Sequence, residues 1–145
     1  KIILMKKLFI GITFLIFFSF SNGQPKNEKA IRAVLSNQEI SWNSGNIENF
    51  MKGYWKNDSL MFIGKSGVTY GWRKTLDNYK KHYPDTITMG KLNFKLLEFK
   101  SLSPVYYFVV GKWHLQRSIG DLEGHFTVLF KKINGEWFIV ADHSS

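Results

Sequence analysis

The closing stretch GHFTVLFKKINGEWFIVADHSS, residues 124–145, holds two runs of alternating apolar residues joined by Asn134-Gly135. Asn-Gly between such runs marks a two-residue hairpin loop, because a type I′ turn needs φ > 0 at both central residues. A two-residue loop also fixes the register. Ile133 faces Glu136, and counting outward Phe130 faces Ile139, Val128 faces Ala141 and Phe126 faces His143. This is the more apolar face and is assigned inward, so that it ends in His143. The opposite face carries Leu129 with Val140, Thr127 with Asp142 and Lys131 with Phe138. It is still partly apolar, which predicts that a partner subunit covers it and that the protein is a homodimer.

Working outward, residues 105–117 read as a long strand whose inward face is Val105, Tyr107, Val109, Gly111, Trp113, Leu115 and Arg117. His114 then points outward or toward the partner. Before it, Leu92, Phe94 and Leu96 alternate with Lys91, Asn93 and Lys95. The doubled Leu96-Leu97 shifts the phase before Phe99, which predicts a β-bulge. Upstream, Leu60–Ile63 and Val68–Tyr70 are short strands around a turn at Lys65–Gly67. Ile31, Leu35, Gln38 and Trp42 recur at helical spacing over 28–44, with Asn27 as cap and Gly45 as stop. Asn46 caps a second short helix that ends near Gly53. Trp72, Leu76, Tyr79 and Tyr83 repeat the spacing over 72–83, and Pro84 ends that helix. Helices first, a small β pair, a helix and then a long antiparallel meander make an α+β domain with helices on one side of a curved sheet.

The start of the chain is different in kind. Lys6-Lys7 precedes a largely apolar run, Leu8–Phe20, and Ser21-Asn22-Gly23 places small residues before Gln24. This is the layout of a secretory signal peptide. The run falls short of the roughly 20 residues that cross a bilayer. The expectation is a signal peptide over 1–23, a single domain over 24–145, and a secreted or periplasmic protein with no membrane attachment after cleavage. Lys1, Lys6 and Lys7 lie in that leader, so the formal charge of +9 falls to +6. The remaining lysines are scattered, which reads as solubility rather than a nucleic-acid footprint. With no cysteine in the chain, disulfides, thiol nucleophiles and thiolate metal sites are excluded.

The chain resembles the nuclear transport factor 2-like superfamily in its SnoaL-like branch, which includes relatives of the calcium/calmodulin-dependent protein kinase II association domain. The resemblance is carried by WNSGNIENFM (42–51), GYWKNDSLMFIGKSGVTYGW (53–72), LDNYKKHYP (76–84), VVGKWHLQR (109–117) and the closing hairpin. It implies a conical, curved antiparallel sheet wrapped around N-terminal helices, open at one end, and a homodimer through the outer face of the sheet. The superfamily holds isomerases, dehydratases, cyclases and non-catalytic modules, so it does not set the activity.

Candidate site residues follow from the inward faces. His143 near a strand end is the candidate general base, or else a histidine hydrogen-bonded in the core beside Phe126. Arg117 either pairs with Glu98, Asp121 or Glu123, or holds an anion. Asp58, in Asn57-Asp58-Ser59, is either a turn residue bonded to backbone or an acid in an aromatic pocket. Tyr54, Trp55, Trp72, Tyr79, Tyr83 and Trp113 complete the expected ligand pocket, with Asp58, Arg117 and His143 beside them. The histidines have no metal-ligand spacing, Gly64 and Gly67 make no phosphate loop, and no cofactor is expected. Two functions stay open: a small-molecule pocket protein with lyase- or isomerase-type acid–base chemistry, and a non-catalytic homodimer that binds a ligand or partner. An enzyme needs two polar groups converging on one point; a module needs only a filled or apolar cone.

Overall fold

The computed structural model describes residues 23–145, so the expected leader lies outside it except for Gly23. Gly23 opens the first helix, α1 (Gly23–Asn43), which begins earlier than its apolar spacing suggests. Pro25 sits in its first turn, where a missing N–H has no helical partner to lose. Asn27 is thus inside the helix, not its cap, and its Oδ1 accepts from Lys132 Nζ at 3.4 Å. The expected face of α1 is the buried one: Ile31, Leu35, Gln38 and Trp42 all point into the core. Gly45 at φ 75° turns the chain out of the helix, a conformation that favours glycine. Asn46 Oδ1 then accepts from the Asn49 N–H at 2.9 Å and caps α2 (Ile47–Phe50), which runs into a 3₁₀ turn at Met51–Gly53.

β1 (Met61–Gly64) and β2 (Gly67–Tyr70) form the small antiparallel pair, followed by α3 (Trp72–His82). Periodicity does not signal the next element, the single turn α4 (Thr86–Met89). Its origin is local: Asp85 Oδ1 accepts from the Thr88 N–H at 2.8 Å, a capping interaction beyond the reach of hydrophobic pattern. β3 (Lys91–Ser103), β4 (Tyr106–Gln116), β5 (Leu122–Ile133) and β6 (Glu136–Ser144) make the meander. The sheet order is β2-β1-β6-β5-β4-β3, with β1 parallel to β6 and the other neighbours antiparallel. The six strands curve, unclosed, around α1 and α3 as an α+β cone.

The hairpin turn forms as its sequence dictates, with Asn134 at φ 50° and Gly135 at φ 88° and Ile133 opposite Glu136. The β3 bulge also appears, between Leu96 and Glu98. On β4 the inward face is as read: Tyr107, Val109 and Leu115 are buried, although Val105 precedes the strand and is exposed.

On β6 the register departs from a simple count. Phe130 faces Ile139, but Leu129 faces Ala141, so Val140 is an extra residue on β6. A one-residue slip moves every later side chain to the other face. Beyond the bulge Asp142 points inward, opposite Val128, while His143 points outward, exposed and opposite Thr127. The inward orientation expected for His143, and the outward one expected for Asp142, are therefore exchanged.

Candidate functional site

Asp142 is only 6 % exposed. Its neighbours across the sheet on the same face are Val128 on β5 and Phe62 on β1, both apolar. A carboxyl in such a place needs hydrogen-bond donors, and two hydroxyls supply them. Tyr54 Oη donates to Asp142 Oδ2 at 2.7 Å, and Ser144 Oγ donates to Oδ1 at 3.1 Å. A third hydroxyl, Tyr79 Oη, lies 3.4 Å from Tyr54 Oη.

The backbone explains how Tyr54 arrives there. After the 3₁₀ turn the chain becomes extended (φ −95°, ψ 145°) and forms an isolated parallel bridge with Ile139, locked by the Trp55 N–H to Ile139 O at 2.9 Å. Tyr54 is thereby tied to β6 just before the bulge that turns Asp142 inward. Tyr79 comes from the buried side of α3 and is held by edge-to-face contacts with Phe50 (5.2 Å), Phe62 (5.7 Å) and Trp42 (5.9 Å). Such contacts fix the ring plane and with it the direction of the hydroxyl.

Burial dominates the electrostatics. It raises the Asp142 carboxyl from 3.8 to about 6, against smaller opposing effects of the Tyr54 and Ser144 hydrogen bonds and the charge of His143. Burial, and next the charge of Asp142, push the phenols of Tyr54 and Tyr79 well above their ordinary value. The centre therefore holds a carboxyl that changes protonation near neutral pH beside phenols that stay protonated as donors. That pairing can take up a proton at Asp142; the protonated carboxyl can then donate to Tyr54 Oη and release the Tyr54 hydrogen, until then directed at Asp142 Oδ2, toward developing negative charge.

The expected site residues divide. Tyr54 and Tyr79 belong to this centre. Tyr83 stacks on Tyr79 with ring centroids 6.3 Å apart and lines a cleft of about 420 Å³ with Ile47, Pro84 and Met89. Arg117 lines a neighbouring cleft of about 470 Å³, shared with Trp42, Met89 and Lys91. Among the described residues its expected ion pair does not form: Asp121 Oδ1 accepts from the Arg117 backbone N–H, and Asp121 Oδ2 bonds His114 Nε2 instead. His114 is accordingly on the outer face, as read.

Trp113 is on the inward face, and its indole nitrogen is buried with no hydrogen-bond partner among the described residues. The other four lie elsewhere. Trp72 Nε1 donates to Met51 O, and its ring faces Lys56 and Arg73. Trp55 lies against Lys131, His143 faces outward, and Asp58 is exposed in its turn. The side-chain bond of that turn is made by Asn57, whose Oδ1 accepts from the Ser59 N–H at 2.9 Å. Among the described residues no three His, Asp or Glu side chains converge to hold a metal ion.

Sequence reasoning missed Asp142 and Ser144. The available signal was the unbroken apolar run Ile139-Val140-Ala141, the same phase-breaking feature that revealed the β3 bulge at Leu96-Leu97.

No protein-family model matches the chain, and no curated protein matches it. Solved structures do. An NTF-2-like protein of unknown function from Shewanella oneidensis MR-1 is 42 % identical, covering 82 % of this chain and 98 % of its own, with a TM-score of 0.79. LinA is 14 % identical, covering 85 % and 87 %, with a TM-score of 0.71. A ketosteroid isomerase-like protein from Erwinia carotovora atroseptica SCRI1043 is 15 % identical, covering 81 % and 93 %, with a TM-score of 0.63. At such identities the last two likenesses bear on the fold alone.

Proposed function

The chain belongs to the nuclear transport factor 2-like family, and from that premise we propose that it is a small-molecule-binding protein with an acid–base centre at Asp142. The observation that carries this is the buried Asp142 carboxyl, hydrogen-bonded by Tyr54 at 2.7 Å and titrating near 6. A structural ion pair would use a cation there; this site uses hydroxyls, which leave the carboxyl free to exchange a proton. Asp142 acts as the base; once protonated it donates to Tyr54 Oη, whose own hydrogen then turns to the developing oxyanion, and Tyr79 holds Tyr54 in place. The reaction class is proton transfer at carbon, of the isomerase or lyase type. Nuclear magnetic resonance in D₂O, with a panel of ketones and enones, tests it. Wild type exchanges the proton next to the carbonyl of at least one ligand, and Asp142→Asn does not. Equal exchange by both proteins ends the assignment.

A second reading has its own support. The interior polar groups bond one another, and aromatic rings fill the space around them. A filled cone suits a non-catalytic homodimeric module that binds a ligand or partner, and binding without any proton exchange would favour it. In either case we read the protein as exported, secreted or periplasmic, because of its basic start and short apolar run. We also read it as a homodimer through the outer face carrying Phe138, Val140 and Leu129. The SnoaL-like branch is the placement that the quoted motifs support.

A further inference from the structure

The cleft of about 470 Å³ lies where the end of α1, the turn α4 and the ends of β3 and β4 meet. Its size is that of a small-molecule site. Its lining carries two cations, Lys91 and Arg117, and no carboxylate. Both cations are oriented by backbone carbonyls alone. Arg117 Nε donates to Gly120 O at 2.7 Å and Nη1 to Thr88 O at 3.4 Å, while Lys91 Nζ donates to Asn43 O at 2.8 Å. Among the described residues neither forms an ion pair. Asp121, the acid whose pKa Arg117 affects, directs its oxygens to a backbone N–H and to His114. Carbonyl dipoles fix direction without cancelling charge, so the two cations remain available to an anion.

The rest of the cleft supplies an apolar wall from Trp42, Ile87 and Met89. Trp42 cannot turn away, because its Nε1 donates to Met89 O at 3.1 Å. Gly90 sits at φ 63°, and a Cβ there would lie 2.4 Å from both Arg117 Cγ and Gln116 O. The chain therefore passes so close to the arginine stem that the guanidinium is held on the cleft side. Thr86, Gln116 and Ser118 complete the lining without adding negative charge.

We propose that this cleft binds a small organic anion, with a carboxylate held by Arg117 and Lys91 and an apolar body against Trp42 and Met89. This rests on the reading that the protein binds a small molecule, but not on proton chemistry at Asp142, from which the cleft is separated by the Trp42–Tyr79 aromatic layer. The same anion could be a free acid or the carboxylate end of a longer molecule; the recognition chemistry is shared.

The test uses binding as its readout, so that failure of the Asp142 reading leaves it standing. Isothermal titration of the protein with 2-naphthoate is compared with its uncharged counterpart 2-naphthylmethanol. Naphthoate should saturate one site in the millimolar range or tighter, with the alcohol about tenfold weaker, the equivalent of about 1.4 kcal/mol. Arg117→Gln should remove that preference, and raised salt should weaken naphthoate only. Should Arg117→Gln disturb the fold because of its packing on Gly90, Lys91→Gln gives the same comparison at a side chain whose head group bonds one carbonyl. Nitrogen–proton spectra locate the ligand: the Trp42 indole signal should shift on adding naphthoate and that of Trp113 should not. Equal affinity for the two probes, no saturable naphthoate binding by folded wild type, an unchanged preference in folded Arg117→Gln or Lys91→Gln, or a shift confined to Trp113 would each overturn the proposal.

Discussion

Asp142→Asn is the most informative single change, because the structure sets both the sign and the size of its effect. The wild-type carboxyl is raised from 3.8 to about 6 by burial. Between those values the native state binds a proton that the unfolded chain has released. Stability therefore falls as pH rises through this window and levels off above it. A shift of about two units at 1.36 kcal/mol each makes the lost stability about 3 kcal/mol. Asparagine does not titrate. Its amide oxygen can still accept from Tyr54, and its NH₂ can donate to Ser144 Oγ, so the local network survives. The variant should be close to wild type at about pH 4 and more stable by about 3 kcal/mol at about pH 7.5, near 10 °C in midpoint for a domain of this size. Glu48, Asp85 and Asp121 have lowered values, largely from hydrogen bonds to Lys80, Thr88 and the Arg117 backbone respectively, and act in the opposite sense. They are common to both proteins and cancel in the difference. Urea unfolding of both proteins at several pH values, followed by circular dichroism, measures it. A stability difference that stays flat with pH would refute the buried, titrating carboxyl.

Tyr54→Phe keeps the ring and removes the 2.7 Å donor, so it should cost about 1–3 kcal/mol and move the Asp142 midpoint further upward; a carboxyl-specific infrared titration that finds it unmoved or lowered contradicts the geometry. Gly90→Ala should destabilise by more than 1 kcal/mol, from φ 63° and the 2.4 Å approach of its Cβ to Gln116 O, and a thermal melt equal to wild type rules that out. Asn57→Ala should cost about 1 kcal/mol through its turn bond, whereas Asp58→Asn should be milder; the reverse order in chemical denaturation would restore Asp58 as the residue that matters. Leu129→Glu places a charge on the outer sheet face and should turn a dimer into a monomer in sedimentation, an expectation that fails if wild type is already monomeric.

The fold was legible because its signals are local and redundant. The α1 face, the Asn134-Gly135 turn, the β3 bulge and the inward side of β4 each rest on spacing or on one turn dipeptide. The site was less legible because it depends on a single residue of phase. Counting from the turn holds as far as Ile139; Val140 then adds one residue, and Asp142 rather than His143 reaches the interior. Hydrophobic pattern argues against that outcome, since it assigns an acid outward wherever it can. Tyr54 and Tyr79 read as aromatic wall from sequence, but the carboxyl to which Tyr54 donates comes from sequence-distant β6, and Tyr79 joins it through Tyr54. Arg117 illustrates the same limit: its alignment with the inward face followed from strand alternation, whereas the fate of Asp121 depended on the loop between β4 and β5.

A register slip that buries an acid among apolar neighbours works against stability, by about 3 kcal/mol near neutral pH on the shift given above. Were Val140 paired regularly with Leu129 instead of bulged, the face opposite Phe126 and Val128 would be filled by Ala141 and His143, and Asp142 would be solvated. Conflict between local pattern and final position is the usual mark of a functional site rather than of a packing solution. Three further features point the same way: Tyr54 is tied to β6 immediately before the bulge, Tyr79 is fixed by four ring contacts, and among the described residues no cation neutralises the carboxyl through a direct hydrogen bond. A merely structural acid would be better satisfied by a lysine or arginine, of which the chain has 20. Hydroxyl partners keep the group protonatable, and protonatability is the property that an acid–base centre requires and a packing residue does not.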